Sequence, residues 1–217
     1  MPNIYIIGDS LAATKLYEKK PETGWGEVLS DVLPYPVINH AVNGRSTKSF
    51  IAENRLKSIE ENIKSHDILL IQFGHNDQKK EDPLRYTKPY EDYLSNLKIM
   101  IDLALSHHAK PVLITSVSRR AFNNYHLLDG ETLGEYPNAM RYLAKQLKIP
   151  LIDIFQSTQA LISSLGEEGS KRLFLHLKAG EHINYPNGVI DNTHLSLEGA
   201  AVVASMIALE LKHLLSL

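Results

Sequence analysis

Short apolar runs alternate with longer, helically periodic stretches along this chain. The first run ends at Gly8, and the last follows Pro150. Runs this short, bounded by turn-forming residues, are typical of buried strands, and their alternation with helical stretches is typical of a parallel sheet with crossover helices. Five strands are therefore predicted, over residues 4–7, 37–42, 68–73, 112–114 and 151–154.

Between these runs, apolar residues recur at the three-to-four-residue spacing of a helix. The longest and most apolar stretch is the last, so it is expected to pack flat against the sheet. The alternation predicts an α/β fold, a three-layer α/β/α sandwich with a central parallel sheet of about five strands. The predicted helices cover residues 25–33, 55–63, 90–105, 136–147, 158–165 and 197–215.

Two stretches, residues 119–134 and 173–192, contain few periodic apolar positions and several Gly, Asn and Pro residues. We predict long loops there. Loops of that length in a compact domain are often functional, because structureless connections are otherwise short.

Composition narrows the class of protein. A chain of 217 residues fits a single domain, here residues 1–217, because single cores seldom grow far beyond this size. Its 43% hydrophobic and 22% charged residues are the balance of an ordinary globular protein. A net charge of −2 argues against a nucleic-acid partner, which needs a basic surface. The absence of cysteine excludes disulfides and a cysteine nucleophile.

The N-terminal apolar run lacks the basic lead and the length of a signal peptide. No segment approaches the roughly 20 apolar residues of a membrane span. We therefore expect no membrane partner and a cytoplasmic location. Nothing in the pattern predicts an oligomeric state.

Candidate chemistry lies just after three of the predicted strands. In open α/β sheets the ligand crevice lies beyond the carboxyl ends of the strands. There the chain reads Gly-Asp-Ser at residues 8–10, Asn-Gly-Arg-Ser at 43–46 and Gly-His-Asn-Asp at 74–77. Glycine beside small polar residues lets the backbone approach a substrate closely. Asp9 and Asp77 are expected to support these turns through backbone hydrogen bonds.

Ser10, His194 and Asp191 are the candidate catalytic residues. Ser10 follows the first strand at a sharp turn, but a serine hydroxyl is a weak nucleophile until an adjacent base takes its proton. His194 is the best candidate base. Asp191, three residues earlier, can turn back onto one imidazole nitrogen and leave the other for Ser10. The set predicts acyl transfer.

The oxyanion that forms in acyl transfer needs preorganised donors, and the strand ends can supply them. The candidates are the backbone N–H groups of Ser10 and Gly44 and the side-chain amide of Asn76. Losing one such donor typically costs about 2.7 to 4 kcal/mol of transition-state stabilisation. Three further residues are candidate substrate contacts: His75, Asn192 and Arg119.

Each of these signals alone has a simpler structural explanation. Gly-Asp-Ser and Asn-Gly are common in turns, and Asp191 could merely cap the final helix. A metal site at Asp191 and His194 is less favoured, because no third ligand lies at a recognisable spacing. His75 suits a loop or supporting position. Arg119 and Arg120 suit a solvated surface, although they follow the fourth strand and could face the cleft. Placement at successive strand ends is what favours an enzyme.

Together the motifs resemble the SGNH or GDSL hydrolases, a family named for four residues that here would be Ser10, Gly44, Asn76 and His194. The resemblance implies a three-layer, flavodoxin-like α/β/α fold. It also implies ester hydrolysis through an acyl-enzyme, with no metal and no other cofactor.

Longer stretches are similar to the rhamnogalacturonan acetylesterase branch of that family. The resemblance to this branch implies a serine esterase that removes O-acetyl groups from acetylated rhamnogalacturonan (pectin) oligosaccharides. One departure is Leu11, where the branch commonly has threonine after the serine. The similar stretches are residues 42–46, 73–77, 132–137 and 184–188, the last leading into 191–194.

Three rival functions are compatible with the same fold class. A carboxylesterase, lysophospholipase or thioesterase of the same family would need a long apolar groove for a lipid chain, whereas the two predicted loops are polar. A carbohydrate-binding protein without catalysis is disfavoured because all the expected positions are intact. A mononucleotide binder should have a phosphate loop rich in Gly, Ser or Thr after the first strand, which residues 9–11 match poorly.

Overall fold

A computed structural model describes residues 1–215, and its centre is one five-stranded parallel sheet. The strands are β1 (Ile4–Gly8), β2 (Val37–Asn39), β3 (Ile68–Gln72), β4 (Lys110–Ile114) and β5 (Leu151–Ile152). Their order across the sheet is β2-β1-β3-β4-β5, and every neighbouring pair is parallel. The carboxyl ends of β1 and β3 therefore lie side by side in the middle of the sheet.

Within residues 1–215, six α-helices connect and cover the strands. Short 3-10 turns cover Tyr17–Lys19, Trp25–Glu27, Leu29–Asp31 and Ser170–Leu173, and a π-helical turn covers Pro89–Tyr93. No helix within residues 1–215 is long and apolar enough to cross a membrane. The α-helices are α1 (Thr47–Ala52), α2 (Lys57–Glu60), α3 (Leu94–Ser106), α4 (Tyr136–Leu147), α5 (Ile154–Gly169) and α6 (Leu197–Leu215).

Both faces of the sheet are buried, and since successive side chains of a strand point to opposite faces, each strand contributes to two cores. In β1, Ile4 and Ile6 enter the core on one face, while Tyr5 and Ile7 enter the core on the other. The first core includes α5 and α6, and the second includes α2, α3 and α4. The predicted three-layer α/β/α sandwich is confirmed.

The bounds of α4 and α6 agree with the prediction because both carry strong local signals. α4 has Pro137 in its first turn and is closed by the next residue after it, Lys148, which adopts the left-handed conformation with a φ of 54°. α6 begins where the Ser196 hydroxyl accepts a hydrogen bond from Gly199 N–H at 3.1 Å. Its buried face follows a helical spacing through Ala200, Val203, Ala204, Ile207 and Leu211, so it packs against the sheet as expected.

The prediction of a helix over residues 25–33 is wrong, because this segment forms two 3-10 turns. The Trp25 backbone N–H donates to Leu11 O at 2.8 Å. A Cβ atom on Gly26 would lie 2.5 Å from Ala12 O. Close contact with the loop after β1 therefore holds the segment in a conformation that its own apolar pattern does not specify.

The prediction of a long loop over residues 173–192 is also wrong in part. β6 (Phe174–Leu177) and β7 (Val189–Leu195) pair in antiparallel fashion and form a separate two-stranded hairpin. Most of β7 is only half-buried, so its sequence lacks the apolar alternation that marks a strand. Asp191 and His194 consequently lie on a strand.

Several other bounds differ from the prediction. β2 ends at Asn39, and α2 is shorter than the predicted helix. The fifth strand stops before Ile154, because Asp153 caps α5 there by accepting a hydrogen bond from Gln156 N–H at 3.2 Å. α1 has no counterpart in the prediction. Residues 119–134 contain no helix or regular strand, in agreement with the predicted loop.

Candidate active site

The loop after β1 presents Ser10 at the carboxyl end of the sheet. A Cβ atom on Gly8 would lie 2.7 Å from Gln72 O of the adjacent β3, so this position requires glycine. Asp9 is fully buried, and its Oδ1 accepts a hydrogen bond from Leu11 N–H at 3.0 Å. The close approach of Gly8 to β3 and the hydrogen bond of the Asp9 side chain therefore fix the turn that carries the half-buried Ser10.

Ser10, His194 and Asp191 form a continuous chain of contacts. Ser10 Oγ lies 3.1 Å from His194 Nε2, and His194 Nδ1 lies 2.7 Å from Asp191 Oδ2. The other carboxylate oxygen accepts hydrogen bonds from the backbone N–H groups of Thr193 at 2.7 Å and His194 at 2.9 Å. These distances permit transfer of a proton from Ser10 to His194.

Asp191 is ionised at neutral pH. Its partial burial acts to raise the pKa of the carboxyl, but hydrogen bonds from the His194 ring and backbone outweigh that effect and lower the pKa to about 2. An ionised carboxylate favours the imidazole tautomer that carries its hydrogen on Nδ1, which leaves Nε2 to accept from Ser10. Among residues 1–215, no three His, Cys, Asp or Glu side chains lie close enough together to hold a metal ion.

The predicted oxyanion donors have hydrogens to spare. Among the described residues, neither the Ser10 nor the Gly44 backbone N–H donates to a protein acceptor. Gly44 has a φ of +76°, which favours glycine, and a Cβ atom there would meet only Arg85 Nη1, at 3.8 Å. Asn76 Nδ2 donates to Arg45 O at 3.1 Å. An amide nitrogen carries two hydrogens, so one is left for a substrate.

Asp77 anchors the loop that carries Asn76. It accepts hydrogen bonds from Thr47 N–H at 3.0 Å and from the Thr87 hydroxyl at 3.0 Å. Burial raises the pKa of Asp77 to about 7, although the hydrogen bonds from Thr47 and Thr87 oppose that effect. These contacts join the loop after β3 to the start of α1, as the predicted supporting role requires.

The predicted substrate contacts His75 and Arg119 lie at different depths. His75 is only 4% exposed, and its Nε2 lies 2.9 Å from Val117 O. Burial and the nearby Arg119 charge lower the pKa of His75 to about 3, so its ring is neutral. Arg119 is half-buried, and burial lowers its pKa while the charges of Asp191 and Asp9 oppose this. His75 therefore suits a supporting position, whereas Arg119 lies near the Asp191 carboxylate.

Asn192 is half-buried and is held in place by a buried arginine. Its Oδ1 accepts a hydrogen bond from Arg120 Nη1 at 2.9 Å and lies 2.8 Å from His176 Nε2. Arg120 is 5% exposed, so the prediction of a solvated surface is wrong for this residue. It can be buried because Ser170 Oγ, at 3.1 Å from Nε, and other oxygens accept its hydrogens. Arg120 thereby links the β6–β7 hairpin to the rest of the fold.

The chain matches the family model described as GDSL-like lipase/acylhydrolase over residues 4–207. That span contains the Ser10 turn, both loops with oxyanion donors and the strand with His194. The chain belongs to the GDSL-like lipase/acylhydrolase family. The predicted family is confirmed, and membership makes the chain a carboxylic ester hydrolase.

Two curated relatives from Bacillus subtilis strain 168 cover nearly the whole chain. Rhamnogalacturonan acetylesterase RhgT is 44% identical over 207 residues, which are 94% of this chain and 87% of RhgT. The probable rhamnogalacturonan acetylesterase YesY is 36% identical over 217 residues, which are 98% of this chain and 93% of YesY.

Solved structures support the fold. The Bacillus subtilis protein YxiM superposes with a TM-score of 0.81 at 23% identity, over 98% of this chain and 56% of that chain. Axe2, an acetylxylan esterase from Geobacillus stearothermophilus, superposes with a TM-score of 0.68 at 15% identity, over 96% of this chain and 93% of that chain. At these identities the likeness extends to the α/β architecture alone.

A buried ion pair that no sequence pattern predicted lies beside Ser10 and His194. The Lys15 side chain is fully buried, and its Nζ lies 2.8 Å from Glu22 Oε1. Lys15 Nζ also donates to Asn43 Oδ1 at 2.8 Å and to the carbonyl of Ser10. Glu22 Oε1 lies 4.0 Å from His194 Nε2. No local pattern indicates this burial, because the connection after β1 must fold back on itself to bring Ser10 and Glu22 to Lys15, and Asn43 comes from the loop after β2.

Proposed function

We propose that this chain removes O-acetyl groups from acetylated rhamnogalacturonan oligosaccharides, with Ser10 as nucleophile, His194 as base and Asp191 as the residue that orients the base. The observation that carries the proposal is the chain of contacts from Ser10 Oγ to His194 at 3.1 Å and on to Asp191 at 2.7 Å. The substrate class is supported by 44% identity to RhgT, which is named as a rhamnogalacturonan acetylesterase.

In the first half of the reaction, Ser10 Oγ attacks the acetyl carbonyl carbon while His194 Nε2 takes the serine proton. The carbonyl oxygen becomes an oxyanion, which accepts hydrogen bonds from the N–H groups of Ser10 and Gly44 and from Asn76. The bond to the sugar oxygen then breaks, and His194 returns the proton to that oxygen. Ser10 is left acetylated.

In the second half, water takes the place of the sugar hydroxyl. His194 removes a proton from the water as it attacks the acetyl-serine, and the same donors hold the second oxyanion. Collapse of this intermediate releases acetate and restores the Ser10 hydroxyl. Asp191 stays ionised throughout, because its pKa of about 2 lies far below neutral pH.

The test is acetate release from acetylated rhamnogalacturonan fragments, beside acetylated xylan fragments and simple acyl esters, with Ser10→Ala as control. We expect preferential release from rhamnogalacturonan that disappears in the variant. Release from simple short esters alone would contradict the substrate assignment while leaving the serine mechanism in place. Activity retained in a folded Ser10→Ala variant would refute the nucleophile.

A further inference from the structure

A surface groove begins at the proposed oxyanion donor Gly44 and is lined in part by two arginines, each paired with a carboxylate. It has a volume of about 270 Å³ and is lined by Gly44, Arg45, Ser49, Glu53, Asp82, Leu84 and Arg85. Arg85 Nη1 lies 3.4 Å from Asn76 Oδ1, so this guanidinium sits beside two of the three proposed oxyanion donors. The groove therefore adjoins the site where an acetyl carbonyl would lie.

Both arginines are oriented by protein contacts that leave donors unused. Arg45 Nε lies 3.0 Å from Glu53 Oε2, and its Nη1 donates to Asn43 O at 2.9 Å. Arg85 Nε pairs with Asp82. Among the described residues, Nη2 of each arginine makes no hydrogen bond within the protein. The two side chains are 32% and 31% exposed, so a ligand can reach them.

Positive charge is in excess around the groove. Glu53 is shared between Arg45 and Arg55, whose Nε lies 2.5 Å from the same oxygen. With Asp82 and Arg85, three guanidinium groups thus meet two carboxylates. Lys79 is near enough that burial and then the charges of Arg85 and Arg119 lower its pKa, while the carboxylates of Glu81 and Asp82 oppose that effect. Cations this close together favour an anion between them, and guanidinium groups match a carboxylate geometrically.

We propose that the groove of Arg45 and Arg85 binds the carboxylate of an acidic sugar unit adjacent to the acetylated position. This inference rests on the proposed function, and it assigns recognition of the substrate's uronic-acid carboxylate to Arg45 and Arg85. Neutral acetylated chains, such as xylan, offer the groove no anion.

The test compares acetylated rhamnogalacturonan oligosaccharides with the same oligosaccharides after their carboxylates have been reduced to primary alcohols. Skeleton and acetyl groups are shared, so only the charge differs. We expect the wild-type kcat/KM to be about tenfold lower on the reduced substrate. A charge-assisted hydrogen bond can supply more, but partial exposure weakens it.

The double variant Arg45→Gln/Arg85→Gln should lose about tenfold in kcat/KM on the native substrate and much less on the reduced one, so that the ratio falls towards one. Lys57→Gln is the matched control, because Lys57 is 63% exposed and pairs with Glu61, the residue that follows α2. It should retain the wild-type ratio.

Three outcomes would overturn the inference. A wild-type ratio near one, with acetate released from both substrates, would refute the carboxylate site and leave the proposed function standing. Equal losses of the arginine variant on both substrates would show that the arginines act on the acyl-transfer step instead. Release from neither substrate, with simple esters still cleaved, would refute the proposed function and the inference with it. The wild-type comparison needs no variant, so misfolding cannot obscure it.

Discussion

Replacing Lys15 by methionine is expected to destabilise the protein strongly. The side chain of Lys15 is 0% exposed and that of Glu22 is 11% exposed, with 2.8 Å between Nζ and Oε1. Removing one partner of a buried ion pair leaves the other charge uncompensated, which typically costs about 3 to 5 kcal/mol. Because both groups are buried, solvent screening takes little from this value, and we expect Lys15→Met to lower the free energy of unfolding by that amount.

The double variant Lys15→Met/Glu22→Gln removes both charges and should recover much of the loss. The remaining cost is that of the acceptors Lys15 leaves behind, the Ser10 carbonyl and the Asn43 amide, at about 1 to 3 kcal/mol. Lys20→Met is the matched control, since its pair with Glu27 is 31% and 22% exposed. A pair that exposed is expected to contribute no more than about 1 kcal/mol.

Urea unfolding followed by tryptophan fluorescence measures these differences. The chain has a single tryptophan, Trp25, which is fully buried and reports on the core next to this loop. A loss in Lys15→Met as small as that in Lys20→Met would refute the reasoning. The reasoning would also be refuted if the stability lost in the double variant equalled the sum of the losses in Lys15→Met and in Glu22→Gln, because a charge pair must show coupling.

Measuring kcat in the same variants separates the effect of Lys15 on stability from its effect on the position of Ser10. Lys15 joins the Ser10 turn to Asn43, the neighbour of Gly44. A displacement of about 1 Å in a reacting group can cost roughly a hundredfold in rate. We therefore expect kcat on a simple acetate ester to stay at least about tenfold low in the double variant, even where stability recovers. Full recovery of kcat would show that the link to Ser10 is dispensable.

Three further predictions concern single residues. Asn76→Ala should lower kcat on a simple acetate ester by about 10²- to 10³-fold with a smaller change in KM, because it removes an oxyanion donor. A rise in KM of that size with kcat unchanged would contradict that role. Asp191→Asn should reduce the rate and also change the pH dependence of stability. In the wild type, the folded-state pKa of Asp191, about 2, lies below the unfolded value of about 3.9. The ionised Asp191 therefore stabilises the fold above about pH 4, and this stabilisation is lost as the pH falls towards 2. Urea unfolding at about pH 5 and about pH 3 should show a steeper loss for wild type than for Asp191→Asn, and parallel losses would refute it. Arg120→Met should lower the free energy of unfolding by about 2 to 4 kcal/mol, since Asn192 and Ser170 lose a buried donor. The control is Arg172→Met, which should cost under about 1 kcal/mol because the Arg172 side chain is 58% exposed.

Elements that carry their own local signals could be predicted from the sequence. β1 and β3 are continuous apolar runs, and α4 has a proline in its first turn and an apolar face. The residues at strand ends were predictable for a topological reason. Parallel strands bring their carboxyl ends to one edge, so Ser10, Gly44 and Asn76 were expected at the same edge once the strands were recognised.

Features that depend on distant contacts could not be predicted. The conformation of the segment at Trp25 is set by its contacts with the loop after β1 and not by its own helical pattern. β7 is half-exposed, and its sequence has no clear alternation of apolar and polar residues. Arg120 is buried because oxygens from remote segments surround it, and Lys15 is buried because its own loop and the loop after β2 fold around it. A charged residue in a loop ordinarily indicates a surface, and only the folded arrangement reveals such partners.

The most direct test of the serine mechanism is inactivation by a stoichiometric amount of an organophosphate reagent, with the adduct located by peptide mass spectrometry. The proposed mechanism predicts one adduct, on Ser10, with esterase activity lost in proportion to labelling and slower labelling in the presence of acetylated rhamnogalacturonan. Esterase activity that survives complete labelling of Ser10, or an inactivating adduct on another residue, would contradict it.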